Sequence, residues 1–244
     1  MVPSEQPEMP QPPWARARRP RTAPRSPLTL EEIVEAALRV VDREGLDATS
    51  MRRVAEELGT APSALYWHVR TKDELLQLVL DRVTAEVELP PRDPERWQEQ
   101  LKTVAREMRR VLTAHRDIAR VTLGALPVGS NTLRVVEWMN ALLREAGIPD
   151  RTVALVGDLF ALYVGSYAYE ESLGLASPTG EDLPPEQVVA MLREHWGALP
   201  PAHFPHTLAL LDALFEGNAD ERFEFGIDIL VRGLASLQAE TAIS

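Results

Sequence analysis

The chain has 244 residues, a formal net charge of −11 and no cysteine, which excludes disulfides, zinc–thiolate centres and thiol nucleophiles. The length allows a small domain joined to a larger one, with enough chain for a substantial core. No apolar run approaches the roughly 18–20 residues that span a bilayer, and no apolar core follows the N-terminal arginines. A cytosolic (cytoplasmic) protein without a membrane partner or secretory signal is therefore expected.

Residues 1–27 are rich in Pro, Arg and Gln, with Trp14 as the large apolar residue; such a composition reads as a disordered basic arm. It is either an inert tail or a segment that follows DNA phosphates or the minor groove. From Thr29 onward helical patterns dominate. Thr29 and Glu32 have capping-box spacing, Ile33, Ala36, Ala37, Val40 and Val41 recur at helical intervals, and Gly45 stops the helix. Thr71 and Glu74 form a second capping-box pattern ahead of the Leu75, Leu76, Val79, Leu80 and Val83 stripe. Pro90, Pro91 and Pro94 then break the chain.

Further helical patterns cover about 95–113, 129–146, 151–174, 185–197, 205–216 and 220–238, with Gly147-Ile148-Pro149 as a stop and Asp150 as a cap. No alternating runs bounded by hairpin turns stand out, so the fold class is all-α. The expected domains are the arm, a helix-turn-helix head over 28–72, a connecting helix and linker over 73–92, and a larger body over 93–244. Two body segments, 151–174 and 220–238, are apolar on more than one face. Such helices must be buried on more than one side; a two-fold dimer bundle is the preferred reading, with the deep core of a monomer as the alternative.

The segment Ser50–Lys72, SMRRVAEELGTAPSALYWHVRTK, carries the most information. Val54, Ala55 and Leu58 face inward, Gly59 makes a turn suited to positive φ, and Pro62 fits the first turn of a second helix. Leu65 and Val69 tie that helix to the core. Ser63, Ala64, Tyr66, Trp67 and His68 are left facing out, and exposed aromatics on so short a helix have little purpose in a free monomer. The arrangement suits insertion of a helix in the DNA major groove. The acidic balance does not argue against this. Bulk charge describes long-range field rather than one face, and Arg16, Arg18, Arg19, Arg21 and Arg25 make the segment before Leu28 basic.

TAPSALYWHVRTKDELL resembles the recognition helix and its flanks in the tetracycline-repressor (TetR) family. WQEQLKTVAREMRRVLTAHRDIARVTLGALP at Trp97–Pro127 and FEFGIDILVRGL at Phe223–Leu234 are similar to that family's ligand-binding and dimerisation body. The resemblance implies a repressor that binds a near-palindromic double-stranded operator as a homodimer and is released by a small-molecule effector. It implies DNA contacts by Ser50 and Arg52, base reading by Pro62, Ser63 and Ala64, phosphate bonding by Tyr66 and His68, a wedge at Trp67, and a phosphate anchor at Lys72, one of two lysines beside Lys102. Arg52 has the fork for guanine; Pro62 and Ala64 offer only apolar contact. It also implies a pocket lined by Val104, Met108, Thr122, Trp138, Phe160 and Tyr163.

Where family members that hold magnesium–tetracycline have a histidine and a threonine, this chain has Thr122 and Ala125; other drug-contacting positions are Glu88, Val104, Met108 and Trp138. Magnesium requires oxygen ligands in near-octahedral geometry. The expected effector is therefore larger and more apolar, bound with no metal or cofactor. His195, His203, His206 and Glu194 are read as a surface loop rather than a metal cluster. Nucleotide-binding glycine motifs and a recognisable Ser/His/Asp set are absent from the sequence, so no enzyme is expected. An activator of the same fold, or an interaction module without DNA binding, are the alternatives.

Overall fold

The computed structural model describes residues 28–173 and 183–241; the expected basic arm over 1–27 lies outside the described residues. The described elements are helical: α1 (Leu30–Glu44), α2 (Met51–Glu57), α3 (Pro62–Leu65), α4 (Lys72–Thr84), a 3₁₀ turn (Pro94–Arg96), α5 (Trp97–Ala114), α6 (Ile118–Thr122), α7 (Ser130–Glu145), α8 (Asp150–Leu173), α9 (Pro185–Gly197), α10 (Pro205–Ala209), α11 (Leu211–Phe215) and α12 (Ala219–Thr241).

The capping box of α1 is complete: Thr29 Oγ1 accepts from Glu32 N–H at 3.2 Å, and the Glu32 carboxylate accepts from Thr29 N–H at 2.9 Å. Gly45 ends the helix at φ 86°. Seven apolar residues of α1 are buried, among them Ile33, Val40 and Val41. The second capping box is only half formed. Thr71 caps Glu74 N–H, but the Glu74 carboxylate turns back to Arg70 N–H at 2.8 Å.

α1 packs on α2 and α4, and α2 packs on α3. The α1–α2 pairing is tightened by four charges: Arg53 is bidentate to Glu44, and Glu57 accepts from Arg43 at 2.7 Å and from Arg53 at 3.1 Å. α4 also reaches α5, α6 and α7. Asp81 of α4 accepts at the N-terminus of α7 from the main-chain N–H and side chain of both Asn131 and Thr132, at 2.9–3.3 Å. A Cβ on Gly129 would lie 2.1 Å from Asp81 Oδ1, so only glycine admits this carboxylate.

In the body, α8 packs against α5, α6, α7 and α12. It is 24 residues long, and an 18-residue window has a mean hydropathy of 1.2. By length and composition it is apolar enough to cross a membrane, which corrects the expectation that no such run exists. It buries Val153, Val156, Phe160, Val164 and Ala168 against its neighbours and leaves Leu155, Leu159 and Leu162 at least 55% exposed.

Other differences from the sequence expectation are local. α6 has no counterpart among the expected helices. Asp150 is the first residue of α8 rather than the cap ahead of it, and the 205–216 pattern divides at Leu210 into two short helices. His195 lies on α9 and His206 on α10, not in a loop; among the described residues no group suited to a metal ion is found. α9, α10 and α11 pack chiefly on one another, with Trp196 edge-on to Phe215 at 5.5 Å.

Two outcomes follow from these joints. Asp81→Ala removes the acceptor for four donors and should cost about 2–3 kcal/mol in urea unfolding; a loss below about 0.5 kcal/mol would show that α7 caps itself with water. Glu57 is held down to about 2 from the ordinary 4.5, mainly by its hydrogen bond from Arg43. A depressed carboxylate contributes stability above its unfolded pKa and loses it as pH falls through the folded value. Glu57→Gln should therefore melt lower than the parent at neutral pH. The gap should close between about pH 4.5 and 2, and a gap independent of pH would contradict this account.

Candidate nucleic-acid interface

The helix-turn-helix forms around three fixed points. Ser50 Oγ accepts from Arg53 N–H at 3.1 Å and starts α2. Gly59 takes φ 62° in the turn, a region costly for residues with a Cβ. Pro62 occupies the first turn of α3. Val54, Ala55, Leu65 and Val69 are fully buried, and Leu58 packs against the same core. α3 is regular over only four residues; the chain then tightens, with His68 N–H and Val69 N–H both donating to Leu65 O at 2.9 Å.

With Leu65 and Val69 pointing in, the rest of this short segment points out. Tyr66 is 52% and Trp67 89% exposed. Pro62, Ser63 and His68 are also exposed, whereas Ala64 is half-buried. Arg52 is exposed on α2 and its Nε donates to Glu56 at 3.0 Å. Ser50, Arg52, Pro62, Ser63, Ala64, Tyr66, Trp67 and His68 thus fall on α2, α3 and the residues that directly flank them.

Lys72 stands apart from a simple solvated charge: Nζ donates to Leu46 O at 2.9 Å, so the side chain lies back against the turn between α1 and α2. That turn also meets the body. Asp42, Arg43, Leu46 and Asp47 are bonded by His115, Arg116, Asp117 and Arg120 respectively. Sequence reasoning missed this set of contacts. The only local signal is the dense charge of HRDIAR, and its partners lie more than 70 residues away in the chain.

The six residues expected in a pocket lie on helices that surround α8 or belong to it. Val104 and Phe160 are buried, and Met108 is partly so. Thr122 Oγ1 donates to Ala119 O at 2.6 Å and stands 2.7 Å from where a Gly165 Cβ would be. Trp138 is occupied structurally, because its indole N–H donates to Pro90 O at 2.8 Å and holds the linker to α7. Tyr163 donates to Phe223 O at 2.9 Å and stacks on that ring. A cavity of about 410 Å³ lies beside Glu137, Arg144 and Val153, and one of about 520 Å³ beside Lys102 and Phe225; none of the six residues lines either.

Comparison with known proteins agrees with this layout. The model for bacterial regulatory proteins of the tetR family matches residues 33–79, and that for the tetracyclin repressor-like C-terminal domain matches 89–237. An HTH-type transcriptional regulator of Saccharopolyspora erythraea is 38% identical over 144 residues, 59% of this chain and 61% of its own length. The HTH-type transcriptional repressor DrrR1 of Streptomyces coeruleorubidus is 38% identical over 138 residues, 56% of this chain and 51% of its own. The chain thus spans between half and two thirds of these two relatives. The crystal structure of apo ActR from Streptomyces coelicolor is similar throughout: TM-score 0.80, 39% identity, 88% of this chain and 99% of that one. ActR in complex with actinorhodin gives 0.78 and 40%, covering 86% and 98%. With a head model and a body model matched in order along one polypeptide, the chain belongs to the TetR family of transcriptional regulators.

Proposed function

We propose that this protein is a cytoplasmic, homodimeric, ligand-responsive repressor that holds a near-palindromic operator through two α3 segments. The observation that carries the reading is the division of α3 and its flank: Leu65 and Val69 have no exposed surface, while Tyr66, Trp67 and His68 are in solvent. A tryptophan that is 89% exposed buries little surface in the fold, and an aromatic beside a helix sized for the major groove suits contact with sugar and phosphate. Head 28–72, connection 73–92 and body 93–244 are the working division in this reading.

Dimerisation is supported by the two apolar stripes left uncovered. Leu155, Leu159 and Leu162 line one face of α8, and Phe225, Ile229 and Leu237 are exposed on α12. Burying a leucine contributes roughly 1.5–3 kcal/mol, so pairing these helices with a second copy is strongly favoured. The two heads would then meet successive major grooves about one DNA turn apart.

The effector reading rests on similarity. ActR is named in complexes with actinorhodin and with (S)-DNPA, and it matches this chain over almost its whole length. A small, largely apolar molecule held without metal among Val104, Met108, Thr122, Phe160 and Tyr163 is the corresponding proposal. Trp138 belongs at the margin of that pocket because its N–H is already used. The ligand would act by binding more tightly to a body conformation in which the heads are misplaced.

Selection from a random duplex library should recover a two-fold symmetric site; recovery of no site at all would remove the DNA-binding reading. On the recovered duplex, Lys72→Ala should weaken binding to all sequences and reduce the salt slope by about one counterion. An unchanged slope would take Lys72 out of the phosphate contacts. Leu159→Glu should convert the protein to monomer in sedimentation at micromolar concentration while far-UV circular dichroism keeps its helical signal; a persistent dimer would place the interface elsewhere.

A further inference from the structure

The turn between α1 and α2 is fastened from two directions, and both fastenings meet at Leu46. Its N–H donates to Asp117 Oδ2 at 2.9 Å, and its carbonyl accepts from Lys72 Nζ at 2.9 Å. The same carbonyl accepts from Thr49 N–H at 3.3 Å, and Thr49 Oγ1 donates to Gly45 O at 2.8 Å. The turn is therefore a small rigid unit with the Leu46 side chain buried beneath it.

Asp117 is placed for this bond at some conformational expense. It is the one described residue other than glycine with positive φ, at 58°, a region that aspartate and asparagine tolerate better than other side chains do. Gly45 makes room for it: a Cβ there would come 2.8 Å from Asp117 Oδ2. Two further bonds frame the contact, Arg120 to Asp47 at 2.8 Å and Arg116 to the carbonyl of Arg43 at 3.4 Å. Asp117 is the residue ahead of α6, and α6 packs on α8, so the acceptor belongs to the body while the donor belongs to the head.

We infer that Asp117 is a positioning residue for DNA binding: by fixing the Leu46 main chain it sets where Lys72 holds its ammonium. The inference rests on the reading of Lys72 as a phosphate contact. An ammonium has three donors. One remains on Leu46 O, and two stay available to a phosphate oxygen at a fixed place. Without the Asp117 bond, the Leu46 turn is free to shift, and the lysine must order itself during binding, at an entropic cost that long flexible side chains make large.

The test is a double-mutant cycle on the full-length protein, read by fluorescence anisotropy of the duplex recovered by selection. Asp117→Gly keeps the positive φ and removes the acceptor; Asp117→Asn keeps both. Asp117→Gly should weaken binding about five- to tenfold, and Asp117→Asn less than about twofold. In the Lys72→Ala background Asp117→Gly should cost less than about twofold, because the relay has already lost its output. Losses that multiply independently, or no loss with Asp117→Gly, would overturn the inference.

Should Asp117→Gly fail to fold, hydrogen exchange on the parent protein decides. Duplex binding should slow amides 45–49 together with 63–68. Slowing confined to 63–68 would overturn the relay and leave DNA binding intact. A parent protein that selects no duplex would instead remove both readings.

Discussion

The helix α4 has to belong to two cores at once. Leu75, Leu76, Val79, Leu80 and Val83 are all buried along its 13 residues, and they face α1 on the head side and α5, α6 and α7 on the body side. A helix cannot satisfy two packed neighbours and remain free to rotate between them, because interiors are close-packed and tolerate only discrete rearrangements. The position of the head is therefore a property of the body core. Asp81 on α7 and Lys72 on Leu46 act at the two ends of the same helix, and each adds a directional bond to what is otherwise non-directional burial.

Charge is distributed to serve this arrangement rather than to make a uniformly basic protein. Much of the cationic inventory near the motif is neutralised internally: Arg53 and Arg43 hold Glu44 and Glu57, and Arg82 pairs with Glu35 and Glu86. These pairs are partly exposed, so individually they add little to stability. As a network they orient α1, α2 and α4. The residues left facing outward around α3 are mostly uncharged, so hydroxyl and imidazole groups rather than a basic patch face solvent there.

Elements with strong periodicity and explicit punctuation were legible in the sequence. The start of α1 at Thr29, its end at Gly45, the turn at Gly59 and the proline at the head of α3 are all encoded by residues whose backbone preferences are local. What could not be read is what depends on distant partners. Glu74 prefers Arg70 N–H to Thr71 N–H, Trp138 is claimed by the Pro90 carbonyl, and Lys72 by the Leu46 carbonyl. α6 has only five residues, too few for periodicity to register. Asp117 looks like one more charge in HRDIAR until the fold brings Gly45 and Leu46 beside it. The apolar faces of α8 and α12 were evident, but their exposure in a single chain became evident only once the other faces had been packed.

Pro62 and Ser63 are exposed and Ala64 is half-buried at the start of α3, while Leu65, Val69 and Gly59 hold the scaffold. Substitution of the exposed Ser63 is thermodynamically cheap, since surface changes away from special features usually stay within about ±0.5 kcal/mol, whereas Pro62 starts α3 and Ala64 is half-buried. On the proposed reading, recognition at such a position can drift during evolution without eroding the marginal stability that limits most other positions. The head could then be re-addressed to a new duplex while the buried Leu65 and Val69 that hold the segment stay in place.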